Sequence, residues 1–270
     1  MVNNVQTMKR SFLALLAAMM MLSGCGILAN GLANVDPTTL ATAANTAMTA
    51  LSISDEQIAQ LSAQSVAYMD SVNTVDRGAY DARLRKLMSK VKTVDGVPIN
   101  LKVYRTKEVN AFACGDGSIR VYSGLMDAMN DAELMAVIGH EIGHVLHKDT
   151  KTAMKKTYMA YAARLALGST GSVIGSLSTS VLGDIAQSYL NAQYSQKQEF
   201  AADENGFKFA IEQGYSPYSM YNSLVTLMKL SGESNSKPSG AQAAFSSHPA
   251  TQERADRMKA AADAYIQQRK

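Results

Sequence analysis

Two histidines four residues apart with a glutamate directly after the first, His140-Glu141-Ile142-Gly143-His144, constrain this chain of 270 residues more than any other feature. On an α-helix, residues i and i+4 share a face, so both imidazoles can reach one metal ion at roughly 2.0–2.1 Å. Glu141 falls at the edge of that face, where its carboxylate can take a proton from a water on the metal. The neighbouring residues ask for a helix. Asn130 or Asp131 supplies a cap and Glu133 a first-turn acid, and Leu134, Val137, Ile138, Ile142 and Val145 recur at helical spacing up to His147. Gly139 and Gly143 each cost such a helix up to about 1 kcal/mol against Ala. They imply the close approach of another backbone beside the metal.

A catalytic zinc takes three protein ligands and keeps a fourth position for water. The extended motif with a third His is excluded, because His147 and Thr150 stand where it needs Gly and His, and the inverted His-x-x-Glu-His order is absent. What remains is a carboxylate from a later helix. Glu199 is the leading candidate, since Glu199-Phe200-Ala201-Ala202-Asp203 sets two acids at i and i+4. Like charges at that spacing repel by a few tenths of a kcal/mol, and a dication reverses the sign. Asp203 would then accept the outer ring N–H of one metal-binding His and fix its tautomer. The plain alternative is a solvated acidic face, and Glu204 and Glu212 are the fallback ligands. His248, in Ser246-Ser247-His248-Pro249 ahead of a helix-like run from Ala250 to Gln268, is either a helix start or a loop His above the metal. In the second case it assists the transition state or fills the open position of a latent enzyme. His147 reads as a helix-end cation stabilised by the helix dipole.

With Asn110-Ala111-Phe112-Ala113 and the stretch from Ile119 to Met126 ahead of them and Arg254 behind, these residues resemble the gluzincin metallopeptidases grouped with HtpX and the CAAX prenyl proteases. The likeness covers most of residues 51–265 and is nearest to the soluble bacterial lipoprotein branch. It implies an α+β fold, a mainly α-helical zincin-type peptidase domain with one small β-sheet or hairpin. It also implies one Zn2+ per chain on His140, His144 and Glu199, with Glu141 as general base and Asp203 as partner of a metal-binding His. His248 would match the loop His that covers the metal in latent members. Members of that branch can carry a cysteine pair tying an early helix to the hairpin. The corresponding segment Ser62 to Met69 has no Cys here, so Cys114 is expected to be unpaired.

The N-terminus has the order of a secretory signal: Lys9-Arg10, an apolar run from Phe12 to Leu22, then small residues. Leu22-Ser23-Gly24-Cys25 resembles a bacterial lipobox, in which Cys25 is lipidated, and Gly26 is compatible with sorting to the outer membrane. The expected division is a lipoprotein signal peptide over 1–24, a lipidated Cys and tether over 25–50, and a zinc metallopeptidase domain over 51–270. Removing 1–24 takes away Lys9 and Arg10 and lowers the formal charge from +3 to +1. That balance offers nothing to nucleic acid and no polybasic membrane patch. The resemblance and the lipobox imply as partners unfolded or misfolded envelope proteins as substrates, the membrane through the N-terminal lipid, and outer-membrane assembly machinery or another envelope protease. The competing expectation is a chaperone-like or assembly-factor lipoprotein with a structural or latent zinc site.

Residues 54–69 and 76–91 are predicted helices. Strand patterns lie at Ile99 to Tyr104, Val109 to Cys114 and Ser118 to Tyr122, with Gly115-Asp116-Gly117 as the turn between the last two. An edge strand there can bind an extended peptide by main-chain hydrogen bonds, which makes Asn110, Ala111 and Phe112 candidate substrate-binding residues. Tyr158 to Leu167 is helical in pattern. The Gly- and Ser-rich stretches around it in 153–192 read as a mobile lid or a membrane-touching segment, since no run there reaches spanning length. The 16 methionines point to adaptable core filling.

Overall fold

The computed structural model describes residues 53–91, 93–94, 96–166, 177–233 and 247–269. The expected signal peptide, Cys25 and the whole of the tether lie outside the described residues, as does the stretch 167–176.

Helix α1 (Asp55–Val72) starts at a capping box in which Ser54 and Gln57 satisfy each other's backbone N–H, and it buries Ile58, Leu61, Val66 and Met69. Helix α2 (Ala79–Leu87) is shorter than its sequence pattern, because the Asp76 carboxylate accepts from the N–H groups of Gly78 and Asp81 and holds the preceding residues in a turn. A two-residue hairpin, β1 (Thr93–Val94) with β2 (Val97–Pro98), turns at Gly96 with φ 76° and had no clear sequence signal. The main sheet follows: β3 (Asn100–Tyr104), β4 (Ala111–Ala113) and β5 (Ser118–Tyr122). Its order is β3-β5-β4, with β3 parallel to β5 and β4 antiparallel to it, Leu101 and Ala113 both lying opposite Ile119. The turn before β5 places Gly117 at φ 83°, and β4 is left at the edge.

Alternation along the strands gives the sheet two covered faces. Tyr104, Phe112 and Tyr122 pack with Leu61, Val66 and Met69 of α1, whereas Val103, Ala111, Ile119 and Val121 pack with Leu134 and Ile138 of the metal helix. On the first face Arg120 is fully buried and bonded through two nitrogens to Asp70 of α1, which also accepts from Lys102 and the Tyr104 hydroxyl. This polar pin between α1 and the sheet was not foreseen.

After the short α3 (Ser123–Ala128), helix α4 (Asp131–Leu146) begins at a capping box of Asn130 and Glu133 and carries the His-Glu-x-x-His residues. Helices α5 (Asp149–Ala166), α6 (Thr179–Leu190), α7 (Gln196–Glu212), α8 (Ser219–Glu233) and α9 (Gln252–Gln267) complete the described chain. Helices α4 and α7 lie against each other with little between them. A Cβ on Gly143 would stand 3.0 Å from the Ala202 Cα, and one on Gly206 would stand 2.6 Å from the Ala136 carbonyl oxygen. Close backbone approach was expected at both glycines of α4, but at Gly139 the near neighbour is the Phe209 side chain, 2.7 Å away at its Cβ.

The lid expectation for 153–192 is corrected over its later part. Ile185, Ala186 and Tyr189 of α6 are buried in the core shared with α1, and Gly183 admits the Tyr68 ring. Among the described residues no helix is long and apolar enough to cross a membrane. Met69, Met126, Met135, Met154, Met220 and Met258 are core residues, as their abundance suggested, and Cys114 is buried and unpaired.

Candidate metal centre

Helix α4 buries His140, Glu141 and His144 together. The two Nε2 atoms stand 3.1 Å apart, and each ring is held from behind: Nδ1 of His140 lies 2.9 Å from Asp203 Oδ1, and Nδ1 of His144 lies 3.0 Å from Asp149 Oδ2. An ionised carboxylate only accepts, so both Nδ1 atoms donate, which leaves both Nε2 atoms available to a metal once the rings are neutral. Helix α7, capped by Ser195 and Gln198, brings Glu199 to the same point from its first turn. Its carboxylate oxygens lie 3.6 Å from His140 Nε2 and 3.5 Å from His144 Nε2. Glu199 Oε2 is buried without a hydrogen-bond partner, and the Arg254 nitrogen 2.7 Å away is an ion-pair contact outside hydrogen-bond geometry.

Two imidazole nitrogens and a carboxylate oxygen converging on one point describe a cation site. Tetrahedral ligands at zinc bond lengths of 2.0–2.2 Å stand about 3.3–3.6 Å apart, close to the separations found here. The fourth histidine joins the cluster: His248 Nδ1 is 2.9 Å from Glu199 Oε1 and 3.3 Å from His140 Nε2. Ligand atoms of His140, His144, Glu199 and His248 all lie within 4.8 Å of one another. The fallback acids Glu204 and Glu212 are exposed on α7 and outside this cluster, and His147 is the exposed C-cap of α4.

Three supporting residues were missed or given no role. Asp149 reaches His144 only because the chain breaks after α4, with Lys148 at φ 60°, and Gln198 fixes its other oxygen at 2.6 Å. Five residues after the second His, it has no helical spacing that would have marked it. Tyr194 stacks on His144 with ring centroids 4.1 Å apart. Arg254 is buried, donates to both oxygens of Asp203 at 2.8 and 2.6 Å, and holds the Pro249 carbonyl at 2.9 Å. One guanidinium thus ties the His248 loop to the residues supporting the metal ligands.

Electrostatics favour positive charge at the centre. Burial works against ionising Glu199, yet the hydrogen bonds from His144 and His248 hold it well below the usual carboxylate range. Burial also opposes charge on His144, but Asp149 and Glu199 outweigh it and raise that ring to about 9. Burial lowers His140 and His248 despite their carboxylate partners. Glu141 is pushed up by burial, against the pull of the two adjacent histidines, which is the direction a general base needs.

A sequence model of peptidase family M48 matches residues 79–262. The chain belongs to peptidase family M48. It is 39% identical over 258 residues to metalloprotease LoiP of Escherichia coli (strain K12), covering 93% of this chain and 97% of that protein. It is 40% identical over 213 residues to metalloprotease YcaL of the same organism, covering 78% and 82%. A protease HtpX homolog of Sulfurovum sp. (strain NBC37-1) is 26% identical over 216 residues, covering 69% and 78%. M48 metalloproteases use zinc, and in this M48 chain His140, His144 and Glu199 form the candidate zinc site with the His-Glu-x-x-His pattern and a downstream Glu.

The candidate substrate residues Asn110, Ala111 and Phe112 border the cleft beside Glu141. Asn110 and Cys114 bond to β5, so the backbone groups of Ala111 and Ala113 face the open edge. Ala113 is engaged at its carbonyl, which accepts from the Tyr189 hydroxyl. An extended peptide pairing with this edge would therefore meet it at Ala111.

Proposed function

We propose that this zinc-dependent peptidase is held at the bacterial outer membrane by a lipid on Cys25, faces the periplasm, and cleaves internal peptide bonds of misfolded or stalled envelope proteins. The convergence of His140, His144 and Glu199 beside Glu141 carries the catalytic part. The lipobox-like Leu22-Ser23-Gly24-Cys25 supports the anchor. A strand edge that recognises backbone rather than side chains supports unfolded substrates.

Zinc in this site supplies a Lewis acid that acidifies water and polarises a carbonyl. The chain's own groups do the rest. Asp203 and Asp149 keep each metal-binding ring in the tautomer with Nε2 free to ligate. Glu141, raised by burial, accepts a proton from the attacking water and returns it to the leaving amine. Ala111 aligns the substrate backbone.

His248 within ligand reach favours one refinement and one rival. In the refinement, the loop fills the fourth position and the enzyme rests in a latent state. In the rival, the four-residue site is structural and the protein is a chaperone-like assembly factor. A His248→Ala variant separates them: faster proteolysis supports the latency loop, and loss of zinc with loss of fold supports the structural site. For the anchor, membrane fractionation of cells producing the full chain should find it in the outer membrane, with Cys25→Ser released. Wild-type chain recovered free of membranes contradicts the anchor.

A further inference from the structure

Two clefts meet at Glu141 and His248, and their walls differ in chemistry. The larger, about 440 Å³ including its open mouth, is walled by Leu125, Val137, Met220, Leu224 and Leu227. Apart from groups of the metal site, Asn110 is its one polar wall residue among the described residues. The smaller, about 280 Å³ with its open mouth counted, runs along β4 and is closed by Tyr189, Leu190, Ala192 and Tyr194 from the end of α6 and the connection to α7. That wall is tied down: the Tyr189 hydroxyl donates to the Ala113 carbonyl, and Tyr194 is stacked on His144.

We propose that the two clefts receive the side chains on either side of the cleaved bond, an apolar side chain of about leucine or methionine size in the larger and a small one (Gly, Ala or Ser) in the smaller. The inference rests on the peptidase reading and adds a selectivity to it. Both clefts border the carboxylate that serves the attacked carbonyl, so the residues flanking that carbonyl are the ones that enter them. The large cleft offers a charged side chain no partner for the hydration it would lose, since the Arg254 guanidinium is already committed to Asp203 and Glu199. The enclosed part of the small cleft has space for about one water, so it does not take a branched or aromatic side chain while Tyr189 and Tyr194 keep their contacts. Apolar pockets discriminate by about 10–200-fold for a single methylene, so a strong preference is expected from these walls.

The test is a peptide library cut by the zinc-loaded full chain, with sites mapped by mass spectrometry. The expected result is one flanking position in which Leu or Met exceeds Asp or Lys at least tenfold, and an opposite position enriched in Gly, Ala and Ser. Leu227 is half-buried at the cleft wall. Leu227→Lys should move the apolar-side preference toward Asp and Glu at least tenfold, and Leu227→Phe should move it toward Ala. Binding gives a readout independent of turnover: zinc-loaded Glu141→Gln should hold a Leu-containing peptide at least tenfold more tightly than its Asp counterpart. Even residue usage on both sides of the cut, or a preference unmoved by both Leu227 variants, overturns the inference while leaving the peptidase intact. Absence of both cutting and binding defeats the peptidase reading, and this inference falls with it.

Discussion

Arg254 shows how much of the site rests on one residue that is neither ligand nor base. Its guanidinium neutralises Asp203 and stands against Glu199 inside the protein, so removing it leaves buried carboxylates short of a countercharge. Breaking a buried pair from one side costs about 3–5 kcal/mol. Arg254→Met is expected to lose that much in urea unfolding, with Arg254→Lys recovering only part, because an ammonium cannot bridge both Asp203 oxygens and the Pro249 carbonyl. Equal stability of Arg254→Met and wild type would show that the contact carries no weight. The site was unevenly legible at this scale. His140, Glu141 and His144 announce themselves by spacing on one helix, and Glu199 with Asp203 by an otherwise unfavourable pair of acids at i and i+4. Asp149 and Arg254 act through chain reversals that no local period encodes, and Arg254 was noticed only within the family resemblance.

At the scale of elements, the metal site depends on how closely α4 and α7 approach. Ala is the better helix former by about 1 kcal/mol, so Gly206→Ala would be stabilising in an isolated helix. Here its Cβ would collide with the Ala136 carbonyl oxygen of the metal helix, and the crowding should reverse the sign to a net loss of about 1–3 kcal/mol. Gly232→Ala, on α8 with nothing within 4 Å of its Cβ, is the control and should be neutral or slightly stabilising. Thermal unfolding of the two variants reads the difference, and similar shifts for both would mean that the packing tolerates a wider separation. Capping boxes made α1 and α4 legible with nearly correct starts. Helix α6 was misread, since Gly183 and the serines around it suggested a mobile lid or a membrane-touching segment while Ile185, Ala186 and Tyr189 form its buried face. A glycine chosen to admit the Tyr68 ring looks, in sequence, the same as one chosen for a turn.

Across the whole molecule, the sheet that carries the proposed substrate edge is fastened to α1 by the Asp70 carboxylate. Burial raises the Asp70 pKa, but Arg120, Lys102 and Tyr104 outweigh it and bring it down from 3.8 to about 2. A carboxylate with a depressed folded pKa contributes stability that is present above its unfolded value and is lost as pH falls through the folded one. The window therefore runs from about pH 4 down to about pH 2. Because solvent reaches part of the side chain, the share at stake is about 1–2 kcal/mol. The stability deficit of Asp70→Asn should accordingly be larger at pH 7 than at pH 2 by that amount, measured by denaturant titration at each pH, and a deficit independent of pH would remove Asp70 from the linkage. The small α+β architecture was legible as a whole, but this buried polar pin was not, because Arg120 reads in sequence as an outward strand position and its partner lies 50 residues earlier.

The central claim is that His140, His144 and Glu199 hold one zinc ion beside a carboxylate that moves the proton. It is tested most directly by measuring zinc per chain and the rate of unfolded-protein cleavage on the same preparation of Glu141→Gln. The expected result is one zinc per chain, as in wild type, with cleavage lowered by about 10²–10⁴-fold. Zinc-loaded Glu141→Gln that cuts at the wild-type rate would contradict it.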